Sequence, residues 1–151
     1  MLFRSRIERG KVGLIGHSDG GVSAAAVAFN TAVGDPRVGA AVIVSGDYGY
    51  FGGSWFPESS PALLALHGDA DGVNPVSSSV RMFDADDGGP RYLVVVHDAG
   101  HLDLLLTDPS ETAVIGLVAD FLGGFLRGDA AARAHIDTDA DGQLLDLIAS
   151  G

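Results

Sequence analysis

Four short runs of almost unbroken apolar residues, Val12 to Ile15, Ala40 to Ser45, Ala62 to His67 and Tyr92 to His97, do most to limit the fold. A strand wetted on one side alternates apolar and polar residues, whereas a run without alternation is buried on both faces. Four such runs predict an α/β fold with a parallel sheet of about four strands flanked by helices. Helices are expected over Val22 to Ala32, Val76 to Asp84 and Ser110 to Leu126, between and after the runs. Right-handed crossovers then put every strand's carboxyl end on one edge, where open α/β sheets bind ligands.

Composition narrows the partners. At 151 residues the chain has the length of one domain, and with 46% apolar residues it is expected to be globular. It has no cysteine, which excludes disulfides, thiolate catalysis and cysteine metal sites. A formal charge of −11 argues against nucleic acid and anionic membranes and favours neutral or cationic substrates. No run reaches the length of a membrane span, and "MLFRSRIERGK" lacks the apolar stretch of a signal peptide, so a cytoplasmic location is the expectation.

Polar residues gather just past the strand ends. "GLIGHSDGG" places Ser18 between two glycines where a strand gives way to a helix, the setting of a nucleophile elbow. In a chain with 22 glycines the bare GxSxG pattern decides little, so this strand-turn-helix context carries the reading. The backbone N–H of Asp19, at the start of the helix, is placed to stabilise a developing negative charge. "HGDADGVNP" follows the third strand and offers Asp69 and Asp71; "HDAGHLDLL" follows the fourth and offers His97 and His101. A serine hydroxyl needs a base to take its proton and a carboxylate to orient that base. The chain supplies serine, acid and histidine in that order, the order of the α/β-hydrolase triad.

With "GHSDGG", "LLALHGDADGVNPV" and "DAGHLDLL" in this sequence, Lys11 to Leu126 resembles the carboxyl-terminal half of an α/β-hydrolase. The likeness is to lidless serine esterases such as dienelactone-hydrolase-like and polyester-hydrolase-like enzymes. It implies Ser18 as nucleophile, Asp71 as acid and His101 as base, with the Asp19 N–H in the oxyanion hole and no metal or organic cofactor. Either Asp69 or Asp71 suits the histidine by position alone; the family pattern, with a later proline, selects Asp71 before Pro75. His97 ends an apolar strand and reads as a packed residue, while His101 follows a glycine in a loop. His17 fits the shape of the elbow, and the resemblance gives His67 a structural role. Residues 1–128 are then a truncated hydrolase domain without a large cap, and residues 129–151 a polar tail with a short helix.

The resemblance also marks what is missing. Only eleven residues precede the elbow strand, too few for the strands that family members carry there, and the second oxyanion donor has no counterpart. The elbow strand should therefore present an apolar edge that a second copy or another polypeptide covers. "DYGYFGGSWFPESS" holds Tyr48, Tyr50, Phe51, Trp55 and Phe56; His17 with Tyr48, Trp55 and Phe56 are the candidate substrate-binding residues, and covering the core is an equal alternative for the aromatics. "DTDADG" in the tail resembles the start of a calcium loop, but Ile148 stands where that loop needs an acid, so a solvated turn before an amphipathic "LLDLIAS" is expected. The expected activity is hydrolysis of small to medium carboxylic esters. A noncatalytic assembly module is the rival.

Overall fold

Each of the four apolar runs forms a strand, and the sheet follows chain order. The computed structural model of the chain describes residues 11–107, 109–136 and 144–150. Strands β1 (Val12–His17), β2 (Val38–Val44), β3 (Ala62–Gly68) and β4 (Arg91–Val96) lie side by side, all parallel. A fifth strand, β5 (Leu145–Ser150), runs antiparallel to β4, with Val95 opposite Asp146. The sheet is therefore five-stranded and mixed, where four parallel strands were expected. The helices among the described residues are α1 (Asp19–Phe29), α2 (Ser77–Ala85), α3 (Asp103–Leu106), α4 (Ser110–Arg127) and α5 (Ala130–Ile136).

Side chains of the central strands alternate between two cores. Ala40, Val42 and Val44 of β2 join Leu64, Leu66, Val94 and Val96 under Leu117 and Phe121 of α4. Ala41 and Ile43 point the other way, joining Leu63, Ala65 and Leu93 under Ala25 and Phe29 of α1 and Met82 and Phe83 of α2. Burial on both faces explains why these strands read as continuous apolar runs.

The tail departs from its expected form. The segment Ala130–Ile136 forms α5, whereas the amphipathic "LLDLIAS" lies in strand β5, where Leu145 is buried and Leu147 packs on the core while Asp146 faces water. The calcium-like segment 137–142 and the charged segment 1–7 lie outside the described residues.

Two features frame the sheet. Among the described residues β1 pairs only with β2, and Ile15 on this outer strand is 60% exposed. An open cavity of about 580 Å³ lies at the amino-terminal ends of β2 and β3, lined by Asn30, Asp35, Pro36, Val38 and Pro61 among others. No helix among the described residues is long and apolar enough to cross a membrane.

Candidate active site

Ser18 occupies a one-residue turn between β1 and α1, with φ 55° and ψ −123°. Such a backbone costs about 1–3 kcal/mol for a residue with a Cβ and persists only where the surroundings impose it. Here the Ser18 N–H donates to the Val44 carbonyl at 2.9 Å, and the Val22 N–H donates to the Ser18 carbonyl at 3.0 Å. The turn is too tight for a side chain at Gly16, where a Cβ would stand 2.1 Å from the Gly20 carbonyl oxygen. Asp19 is the first residue of α1, and the first N–H groups of a helix have no intrahelical acceptor.

The loops after β3 and β4 bring the acid and the histidine together. Nδ1 of His101 lies 2.7 Å from Oδ2 of Asp71. An ionised carboxylate only accepts, so Nδ1–H donates; in the neutral ring this leaves the lone pair on Nε2 of His101. The Val73 and Asn74 N–H groups donate to the other oxygen, Oδ1, at 2.8 and 2.9 Å. The Asp71 side chain is shielded from solvent. Burial opposes its ionisation, but the His101 hydrogen bond and the Asn74 and Val73 N–H groups outweigh burial and hold the carboxyl at about 2. The two loops meet so closely that a Cβ on Gly68 would stand 2.1 Å from the Ala99 carbonyl oxygen.

His17 joins this pair to the elbow. Its Nε2–H donates to the His101 carbonyl at 2.8 Å, and the two ring centroids are 4.6 Å apart. The histidine loop is thus fixed against the residue that precedes Ser18. Asp103 supports the same loop by accepting the Gly100 N–H at 2.7 Å.

The other acid and histidine are engaged elsewhere. Asp69 accepts from Nδ1 of His97 at 3.2 Å and from the Asp98 N–H at 2.7 Å. Nε2 of His97 faces Asp146 of β5 at 3.5 Å. The hydrogen bond from Asp69 raises the His97 pKa, and Asp146 acts in the same sense. Geometry therefore pairs His101 with Asp71 and His97 with Asp69.

Trp55 and Phe56 pack away from Ser18. Phe56 is buried against Phe29, with ring centroids 5.4 Å apart, and its N–H donates to the Phe29 carbonyl. Trp55 forms a backbone bridge with Asn30. Both contacts lie at the carboxyl end of α1, about 15 Å from the elbow at 1.5 Å per residue. Tyr48 stacks edge-on to Trp55 and Phe56, so the candidate substrate residues Tyr48, Trp55 and Phe56 form part of the core cover. The reason is topological: the 45–61 connection joins two parallel strands without a helix and must run back along the whole sheet.

Sequence reasoning passed over other residues at the active edge. Val73, two residues beyond Asp71, is 68% exposed, and Leu102, next to His101, is 52% exposed. Their signal was adjacency to the acid and the base. Asp69 and Asp98 in these loops, with Asp19 and Asp103 at the starts of α1 and α3, are exposed and make this edge anionic. Among the described residues no group of three or more His, Asp or Glu side chains is placed to hold a metal ion. Compared with known proteins, the chain matches no family model and no curated protein sequence.

Proposed function

We propose that the chain is a serine hydrolase of α/β-hydrolase type that cleaves small to medium carboxylic esters without a cofactor. The observation that carries this reading is the convergence of a serine on a strained strand-to-helix turn with a 2.7 Å histidine–carboxylate pair tied to that turn. In the proposed reaction, Nε2 of His101 takes the Ser18 proton as Oγ attacks the ester carbonyl carbon. The Asp19 N–H holds the oxyanion, and Asp71 stabilises the imidazolium. The carbon–oxygen bond to the leaving group breaks as His101 returns the proton to the alcohol. Water, deprotonated by His101, then attacks the acyl-serine; the acid leaves and Ser18 regains its proton. Val73 and Leu102 offer apolar surface for the acyl chain, and the anionic edge favours neutral or cationic esters.

One observation favours a second reading. The outer edge of β1 suits a noncatalytic module that assembles by strand pairing. A fluorophosphonate probe separates the two. Stoichiometric labelling at Ser18, with turnover of p-nitrophenyl butyrate, supports the hydrolase; a folded protein that never labels supports the module.

A further inference from the structure

His67, the penultimate residue of β3, has a ring fully shielded from solvent directly behind Asp71. Its Nε2 lies 3.1 Å from the Asn74 carbonyl oxygen and 3.4 Å from Oδ2 of Asp71. A carbonyl only accepts, so Nε2 carries the proton. Nδ1 lies 2.7 Å from Oγ of Ser79 on α2, a hydroxyl that donates to the bare nitrogen of the neutral ring. Burial, above all, pushes the His67 pKa down, so the ring adds no charge behind the carboxylate. The titratable groups around it are Asp71 and, beyond that carboxylate, His101; α2 presents only the Ser79 hydroxyl.

The Asn74 carbonyl belongs to the turn whose N–H groups hold Oδ1 of Asp71, and the Asn74 side-chain amide donates to the Ser45 carbonyl at 2.7 Å. One imidazole N–H therefore fastens the acid turn to β3 while its positive end faces the oxygen that orients His101. We propose that His67 is a positioning residue, a neutral imidazole of fixed tautomer that sets Asp71 for His101. The proposal rests on the hydrolase reading and extends it to a residue that touches no substrate. A cation here would divide the charge of Asp71 between two partners, and an apolar side chain would leave the Asn74 carbonyl without its donor.

Two glutamine-like substitutions separate positioning from packing, because the Gln amide nitrogen mimics Nε2 and the Asn amide nitrogen mimics Nδ1. His67→Gln should keep kcat within about threefold of wild type, and His67→Asn should lower it about tenfold or more with KM little changed. In His67→Asn the charge of Asp71 falls more fully on His101, so the acid limb of kcat/KM should move to higher pH. Imidazole nitrogen NMR of the wild type should show His67 neutral with the proton on Nε2 from pH 6 to 8. A proton on Nδ1, an imidazolium in that range, equal losses in both variants or a wild-type profile in folded His67→Asn would each overturn the proposal. If His67→Asn does not fold, Ser79→Ala takes its place: a faster-exchanging Nε2–H with lowered kcat supports the proposal, and no change in either overturns it. A wild-type protein that never takes the fluorophosphonate removes the hydrolase reading itself, and the positioning role with it, while the NMR tautomer still reports the bond to Asn74.

Discussion

His101 and Asp71 are joined at 2.7 Å, while His97 takes Asp69 at 3.2 Å, so two histidine–carboxylate pairs stand on neighbouring loops with their partners unmixed. Asp71→Asn should lower kcat by about 10⁴, because an amide favours the wrong tautomer of His101 and cannot stabilise its cation. Asp69→Asn should change kcat by less than about tenfold, since Asp69 serves a different ring. Steady-state kinetics on p-nitrophenyl butyrate would reverse the pairing if the two effects were exchanged.

The elbow glycines should behave oppositely. Gly16→Ala drives a methyl into the Gly20 backbone and should destabilise by about 3 kcal/mol or more. A Cβ at Gly20 meets nothing within 4 Å, and the residue is helical, so Gly20→Ala should stabilise by about 0.5–1 kcal/mol. Urea midpoints of the two variants would test this contrast, and a stable Gly16→Ala protein would mean the turn relaxes.

Asp71 should make the fold acid-sensitive. Its folded pKa of about 2 lies below the unfolded value of 3.8, so its contribution is present above about pH 4 and is lost as pH falls through 2. The loss is on the order of 2 kcal/mol for a carboxylate in this setting. Urea unfolding of wild type and Asp71→Asn between pH 6 and 2 should show the wild type losing more stability; parallel curves would show that Asp71 is not held as an anion.

His97 has the opposite sign. Its pKa is raised by Asp69 and Asp146, so the stability it adds is complete below the unfolded value of 6.5 and is lost as pH climbs through the higher folded value. Because Asp146 lies on β5, wild type should exceed His97→Gln in stability at pH 6 and approach it at pH 9. A constant difference across that range would exclude titration of His97 as the cause.

Among the described residues the outer edge of β1 is unpaired, and it should cause self-association. Light scattering across a dilution series should show a mass above 15.4 kDa that falls on dilution, and Ile15→Lys should favour the monomer. A wild-type monomer at all concentrations would exclude pairing between copies.

The parts of this protein legible in its sequence are those where local pattern and tertiary burial agree. Strands β2, β3 and β4 are legible because both of their faces are covered; β1 carries the same kind of apolar run although Ile15 on it is exposed, so its run marks the strand without the two-sided burial it implies. Helix α1 begins at Asp19, three residues before its expected start, because the tight turn places Gly20 and Gly21 in the first helical turn despite their low propensity. β5 is not legible in the sequence because six residues with Leu145 and Leu147 inward and Asp146 outward fit either period, and only β4 beside them decides. Ser18, Asp71 and His101 carried position-specific signals past three strand ends. Trp55 and Phe56 misled because chain proximity to the end of β2 does not say how far a connection must travel before a parallel strand begins.

Trp55 is the chain's single tryptophan, edge-on to Tyr48 and bridged to Asn30 at the end of α1 remote from Ser18. Its fluorescence is therefore a built-in gauge of the fold that is spatially insulated from the chemistry. Emission should follow the docking of the 45–61 connection on Asn30 and Phe29, and stay constant when Ser18, Asp71 or His101 is replaced without unfolding. The residue that does not line the candidate site thus serves as its internal control.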